Sequence, residues 1–223
     1  MKDSMLEEKI SNAYKVSQNI YDDVLTQSNW LTKLYIKLFW GVDDVELAGK
    51  ILSFISDDFN GKLLDIPVGT AVFTYEKYKK LENADITCID YSNEMLDQAK
   101  KRFKSISNNR ISFIQGDVGN LQYKDETFDL LLSMNGFHAF PDKEKAFRET
   151  ARVIKKGGLF TGCFYIKGEN KLTDFVINFF LSKKGWFTPP FQTKKELEVI
   201  LNNLYSKVKI FSKKAMVWFR CVK

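Results

Sequence analysis

Leu63-Leu-Asp-Ile-Pro-Val-Gly-Thr-Ala-Val-Phe-Thr74 decides the fold, because it reads as a buried strand that breaks into a loop and feeds a helix. The loop bends around Gly69, a residue type that tolerates the positive φ of tight turns. About twenty residues later a second apolar run, residues 86–89, ends in Asp90. A strand, a tight turn, a helix and an acid at the next strand end are typical of a nucleotide-binding unit. In such a unit backbone N–H groups approach the ligand and the acid binds ribose hydroxyls.

Two further strand signals follow in order. Residues 111–118 predict a third strand that ends in Asp117, and residues 128–138 predict a fourth that runs into a polar loop. In this order the pieces resemble the class I S-adenosylmethionine-dependent methyltransferases, over residues 60–165 and more loosely to the C-terminus. The resemblance implies an α/β, Rossmann-like sheet of seven mostly parallel strands in the order 3-2-1-4-5-7-6, with helices on both faces and an antiparallel C-terminal hairpin.

The resemblance also implies a role for individual positions. The loop from Asp65 to Ala71 would wrap the methionine part of S-adenosylmethionine, Asp90 would hold the ribose, and Asp117 would meet the adenine amino group. Asn135 and Gly136 would border the sulfonium. The implied cofactor-binding residues are Asp65, Pro67, Val68, Gly69, Thr70, Ala71, Asp90, Tyr91, Met95, Asp117, Val118, Asn135 and Gly136.

The glycine-rich loop departs from the family pattern. The usual acid-x-Gly-x-Gly-x-Gly is here Asp65-Ile-Pro67-Val-Gly69-Thr-Ala71, so only the middle glycine is kept. Proline fixes φ and removes a donor, and an alanine methyl occupies space near the ligand. We expect Pro67 to be tolerated if its position never supplied an N–H to the ligand, and Ala71 to be tolerated if its φ is negative. Otherwise the altered loop weakens cofactor binding.

Composition bounds the class of protein. The chain has 223 residues, 44% hydrophobic and 28% charged, which suits one α/β domain. Three cysteines, two of them in predicted core strands, argue against a disulfide framework and predict a cytoplasmic location. The first residues carry mixed charge without an apolar leader, and no apolar run approaches the roughly 20 residues of a membrane span. With a single histidine and no zinc-type spacing, no metal is predicted.

The net charge of +6 is unevenly distributed. Residues 1–60 hold about 6 basic and 10 acidic side chains, whereas residues 155–223 hold about 14 basic and 4 acidic ones. Such asymmetry can indicate an anionic partner such as RNA. Lysines dominate the basic region, whereas arginine is the usual choice for bidentate phosphate recognition. The favoured interpretation is that these lysines solvate exposed faces.

The chain divides by role within a single predicted domain. Residues 1–58 predict an N-terminal helical cap, 59–166 the cofactor-binding core, 167–192 an inserted lid, and 193–223 a helix and hairpin. Gly157-Gly158 predicts a helix stop before the fifth strand, and Ser212-Lys-Lys predicts the hairpin joint. Within the core, strands and helices are predicted to alternate over 62–67, 72–81, 85–90, 93–104, 111–115, 128–134, 142–153 and 158–166.

Candidate residues for chemistry follow from methyl transfer itself. In-line attack on a sulfonium methyl needs alignment, and a base only where the acceptor carries a proton that does not leave unaided. His138, in the loop after the fourth strand, is a candidate base. The alternative is a histidine that bonds backbone atoms and shapes the loop. Tyr21 is a second catalytic candidate, and Tyr14, Trp186 and Phe187 are candidates for acceptor contact. The alternative for each is core packing.

Three functions remain open at this point. The leading one is methyl transfer to a small, partly apolar molecule, because Ser-Met-Asn-Gly after strand four lacks the Asn/Asp-Pro-Pro-aromatic tetrad of amino-methylating enzymes acting on adenine or glutamine. The second is an RNA-binding methyltransferase that uses the basic C-terminal third. The third is a non-catalytic S-adenosylmethionine-binding protein, motivated by the altered loop. The oligomeric state is not predicted.

Overall fold

The computed structural model describes residues 43–106, 110–183 and 185–223. Seven strands form one sheet: β1 Lys62–Asp65, β2 Asp85–Asp90, β3 Ile111–Gln115, β4 Phe128–Met134, β5 Ile154–Tyr165, β6 Lys207–Lys213 and β7 Met216–Val222. Their order is β3-β2-β1-β4-β5-β7-β6. Strands β1 to β5 pair in parallel, and β7 runs antiparallel to both β5 and β6. The predicted fold class and strand order are confirmed.

Helices connect and flank these strands: α1 Asp44–Leu52, α2 Tyr75–Tyr78, α3 Asn93–Phe103, α4 Lys143–Val153, α5 Lys171–Val176 and α6 Lys194–Leu204. A π-helical turn over Ile177–Leu181 continues α5. The longer helices begin at side-chain caps, which satisfy N–H groups that no helical carbonyl can reach. Ser92 accepts from Met95 N, Asp142 accepts from Lys145 N, and Thr193 forms a reciprocal capping box with Glu196.

The core lies in two layers, one on each face of the sheet. Alternation along β1 sends Leu63 to one layer and Leu64 to the other, as the pleat requires. Buried residues of α1, α2 and α3 belong to the first layer, and those of α4 and α6 to the second. A parallel sheet covered on both faces leaves the carboxyl ends of its strands as the open edge.

Three local predictions were wrong: the length of the helix over 72–81, the helix stop at Gly157-Gly158 and the position of the hairpin joint. The helix expected over 72–81 is α-helical only over Tyr75–Tyr78, because Ala71 has a φ of +57°, which no right-handed helix allows, and shorter turns follow Tyr78. Helix α4 ends at Val153, before the glycines, because Ile154 already pairs with β4. Gly157, with a φ of +78°, instead lies where the register between β4 and β5 shifts.

The hairpin joint is also shifted. Ser212 and Lys213 pair with β7, so the turn consists of Lys214 and Ala215. Most of the predicted cap, residues 1–42, lies outside the described residues. Among the helices that the structure does describe, none is both long and apolar enough to cross a membrane.

Candidate functional site

A cavity of about 380 Å³ lies at the carboxyl edge of the sheet. Four loops form its walls: the loop after β1, the end of β2, the loop after β3, and the loop between β4 and α4. The lining residues include Asp65, Gly69, Asp90, Asp117 and Asn135. Residues that are up to 70 positions apart in sequence therefore meet at one edge because their strands are parallel.

The loop after β1 is held open by a carboxylate. Gly69 has a φ of +56°, and its N–H donates to Asp90 Oδ2 over 2.8 Å. Asp90 Oδ1 accepts a second bond, from Ser92 N over 2.9 Å. A Cβ added at Gly69 would meet no atom within 4 Å. The turn thus exposes backbone to the cavity at the point where a ligand has to approach closely.

Ala71 was expected to be tolerated if its φ is negative, and it does not meet this condition. Its φ is +57°, not negative, so it occupies the left-handed region usually kept for glycine. Its side chain is nonetheless buried in the first core layer, and its carbonyl accepts from Tyr75 N over 3.0 Å. The strain is therefore held by packing, and the cavity in front of the loop stays open.

Two buried carboxylates face this cavity. Burial raises the pKa of Asp65 to about 7, although the Tyr78 hydroxyl donates to its Oδ2 over 2.8 Å. Burial likewise raises the pKa of Asp90 to about 6, opposed by the N–H groups of Ser92 and Gly69. An ionised carboxylate in a desolvated site is favoured by any cation or hydroxyl donor that enters. The pair therefore makes this edge selective for a donor-rich, cationic or hydroxylated ligand.

Comparison with known proteins agrees with this geometry. A family model described as a methyltransferase domain matches residues 63–158. The 2-methyl-6-phytyl-1,4-hydroquinone methyltransferase 1 of Oryza sativa subsp. japonica is 32% identical over 146 residues. The demethylmenaquinone methyltransferase of Thermotoga maritima is 29% identical over 144 residues. Over residues 63–158, the segment that supplies the cavity lining, the chain is thus similar to methyltransferases.

The match to these relatives is partial. It covers 66% of this chain and 40% of the rice protein, and 65% of this chain and 59% of the Thermotoga protein. Solved methyltransferases share the fold along more of the chain. A possible histamine N-methyltransferase from Thermotoga maritima superposes with a TM-score of 0.68 at 19% identity, covering 96% and 99% of the two chains. Phosphoethanolamine N-methyltransferase 2 from Haemonchus contortus, solved with S-adenosylhomocysteine, gives 0.68 at 15% identity, covering 91% and 60%.

Of the predicted cofactor-binding residues, all but Gly136 line the cavity. Gly136 is buried behind the wall. A Cβ placed there would lie 2.2 Å from Cδ of Pro67 and 2.9 Å from Cζ of Phe140. The unusual proline of the loop after β1 thus occupies space that the missing side chain of Gly136 leaves free, so the two positions depend on each other.

His138 does not line the cavity. It is buried and stacks on Phe187, with ring centroids 4.2 Å apart, and its Nδ1 accepts from Tyr165 N over 3.3 Å. Burial, reinforced by the charge of Lys143, lowers its pKa to about 3. These contacts match the alternative in which the histidine shapes the loop.

The remaining predicted residues either do not line the cavity or lie outside the described residues. Phe187 packs between His138 and Tyr165, and neither it nor the half-buried Trp186 lines the cavity. Tyr14 and Tyr21 lie outside the described residues.

Sequence reasoning missed one wall of the cavity. Ala139, Phe140, Pro141, Asp142 and Lys145 all line it, because the loop after β4 folds back before α4 begins. The available signal was the N-cap of α4: the Asp142 side chain accepts from Lys145 N over 2.8 Å, which fixes that carboxylate at the start of the helix beside the cavity.

Proposed function

We propose that this chain binds S-adenosylmethionine and transfers its methyl group to a small, partly apolar molecule at an O, N, S or C atom. The observation that carries the proposal is the meeting of the Gly69 turn, Asp90 and Asp117 at one cavity. Its volume of about 380 Å³ is within the usual size of a small-ligand pocket. The relatives named above methylate quinone-type small molecules, which favours this function over the RNA-binding and non-catalytic alternatives.

The residues present fit this cofactor. Asp90 accepts from the N–H groups of Gly69, Ser92 and Tyr91, and a carboxylate with about four acceptor positions retains capacity for a ribose hydroxyl. The open face of Gly69 lets the backbone approach the methionine part, and a cationic group there would favour ionisation of buried Asp65, whose pKa is otherwise raised to about 7. S-adenosylmethionine, when bound, supplies a methyl group on a sulfonium. The task of the protein is to align an acceptor with that methyl group.

The acceptor side offers an apolar wall. Met134, Ala139, Phe140 and Pro141 line the cavity near Asn135. We infer that His138 maintains this loop rather than removing a proton from the acceptor, because its ring is buried away from the cavity and its Nδ1 accepts from the backbone N–H of Tyr165. The predicted contribution of Tyr21 as a catalytic group and of Tyr14 at the acceptor stays a proposal.

Calorimetry with S-adenosylmethionine and S-adenosylhomocysteine tests the cofactor, and transfer of labelled methyl to a panel of hydroquinones and other apolar phenols tests the activity. Binding without transfer to any acceptor supports the non-catalytic alternative. No heat at high ligand concentration contradicts the proposal altogether.

Replacing His138 by Phe tests the acceptor side. The variant keeps the stack on Phe187 but removes the ring nitrogens. We expect turnover within about threefold of the parent and an unchanged pH profile from 6 to 8. A loss of about 100-fold or more is the effect expected of a removed general base and would restore that role.

The location remains a proposal as well. The three free cysteines, Cys88, Cys163 and Cys221, are all buried, which suits the reducing cytoplasm.

A further inference from the structure

The 167–192 segment carries aromatic side chains on its outer side. Leu172, Phe175, Phe179 and Phe180 are 55%, 52%, 53% and 58% exposed. They form one cluster, which we call the aromatic face, since the Phe175 ring centroid lies 4.6 Å from that of Phe179 and 6.3 Å from that of Phe180. Single exposed apolar residues are ordinary, but a contiguous group on one helix marks an interaction surface.

The opposite side of the same helix is firmly seated. Ile177 and Thr173 are buried against the body, and Asp174 accepts from the Tyr165 hydroxyl over 2.6 Å and from Gly168 N over 2.9 Å. The aromatic face is therefore not the inner side of a helix that has swung away. It is a second apolar side of this helix, and the first side is already packed against the rest of the protein.

The segment is also tied to the wall of the cavity. Thr188 N donates to the His138 carbonyl over 2.9 Å, and the buried Lys143 ammonium donates to the carbonyls of Thr188 and Phe140. Phe140 lines the cavity. The segment that carries the aromatic face is thus bonded, through Thr188, to the loop that forms the proposed acceptor wall.

The charges around the aromatic face select the partner. Exposed Lys171 and Lys183 flank it, exposed Glu169 precedes it, and the carboxylate of Asp174 within the helix is turned inward. Exposed aromatic rings flanked by lysines suit the interface of an anionic bilayer, where rings insert among the headgroups and lysines meet lipid phosphates. A second copy of the chain would instead bring the same positive groups together across a two-fold axis.

We propose that the aromatic face docks the protein on an anionic lipid bilayer, so that an apolar acceptor dissolved in that bilayer reaches the cavity. The second clause rests on the proposed function. The first does not, because it depends only on the exposed rings and their flanking lysines. The docking is peripheral and involves no spanning helix.

The test is co-sedimentation of the full chain with vesicles of phosphatidylcholine and phosphatidylglycerol, and with vesicles of phosphatidylcholine alone. The test variant carries Phe175→Ser, Phe179→Ser and Phe180→Ser, and the matched control carries Val199→Ser and Phe211→Ser, which are exposed elsewhere. We expect the parent and the control to bind the anionic vesicles, and the test variant to bind at least about tenfold more weakly. Neutral vesicles, or high salt, should weaken binding of the parent.

Other outcomes overturn the docking proposal. Equal binding by the test variant and the control does so, as does no binding by the parent. A dimer of the parent that dissociates in the test variant, without vesicle binding, assigns the face to a second copy. Donor calorimetry on the same samples separates the two proposals: vesicle binding without donor heat contradicts the proposed function alone, and donor heat without vesicle binding contradicts the docking alone.

Discussion

The two halves of the cavity are held in place by different kinds of interaction. The donor half, residues 65–71 with Asp90 and Asp117, is polar, with a backbone turn held by a carboxylate. The acceptor half, residues 134–142 backed by residues 185–191, is held by packing of rings and by a histidine and a lysine bonded to backbone atoms. One half is thus held by hydrogen bonds to a carboxylate, and the other by ring packing and by side chains bonded to the backbone.

The largest effect is expected in the donor half. Asp90→Ala removes the acceptor of the Gly69 and Ser92 N–H groups and the proposed ribose contact. We expect S-adenosylmethionine affinity to fall about 1,000-fold, which corresponds to two charge-assisted hydrogen bonds of about 2 kcal/mol each. Calorimetry measures it, and Asp85→Ala, at the exposed start of the same strand, is the control. Equal affinity of both variants would remove Asp90 from the donor half.

The junction of the two halves comes next. Gly136→Ala would place a methyl group 2.2 Å from Cδ of Pro67, and we expect a loss of about 3 kcal/mol in the free energy of unfolding. Pro67→Ala in the same chain should restore part of it, whereas Gly49→Ala, which meets nothing within 4 Å, should not destabilise. Urea denaturation measures the parent, Gly136→Ala, Pro67→Ala, the double variant and Gly49→Ala. Additive effects of Gly136→Ala and Pro67→Ala would show that the two positions are independent.

A smaller effect concerns pH. Because the pKa of Asp65 is raised to about 7, the folded protein retains a proton that the unfolded chain releases above about 4. Without ligand, stability should therefore fall as the pH rises from about 4 to about 7. In Asp65→Asn the slope of this fall should shrink by up to about 1.4 kcal/mol per pH unit. Urea denaturation at a series of pH values gives the slope, and a slope that Asp65→Asn leaves unchanged would mean that Asp65 is ionised throughout.

The smallest effect is expected at Ala71. Ala71→Gly relieves about 1 kcal/mol of left-handed strain but loses a buried methyl group and makes the unfolded chain more flexible. We expect stability within about 1 kcal/mol of the parent and unchanged donor affinity. Gly69→Ala is the informative contrast, because its methyl group would enter open space at the cavity and should weaken donor binding. A large gain in donor affinity for Ala71→Gly would show that the altered loop impairs binding.

The donor half could be predicted because its signals are local. Asp90 ends β2, and Gly69 and Asp117 lie in the loops just after β1 and β3. The apolar runs of these strands are visible in sequence, and parallel pairing brings their ends together. The acceptor half could not be predicted in the same way. That Phe187 stacks on His138 rather than lining the cavity depends on where residues 185–191 pack, and no periodicity encodes this.

The sequence by itself indicated where the strands and the antiparallel C-terminal hairpin lie, and its resemblance to the methyltransferase family implied the strand order and the positions that would meet a ligand. Only the tertiary structure decided that Pro67 fits because residue 136 is glycine, that Ala71 is held at positive φ, and that His138 is buried and bonded to backbone. The physical reason is the separation in sequence of the atoms that interact. Strand signals and turns arise from neighbours in the chain, whereas steric fit and desolvation arise from atoms that are distant in sequence and meet only in the folded protein.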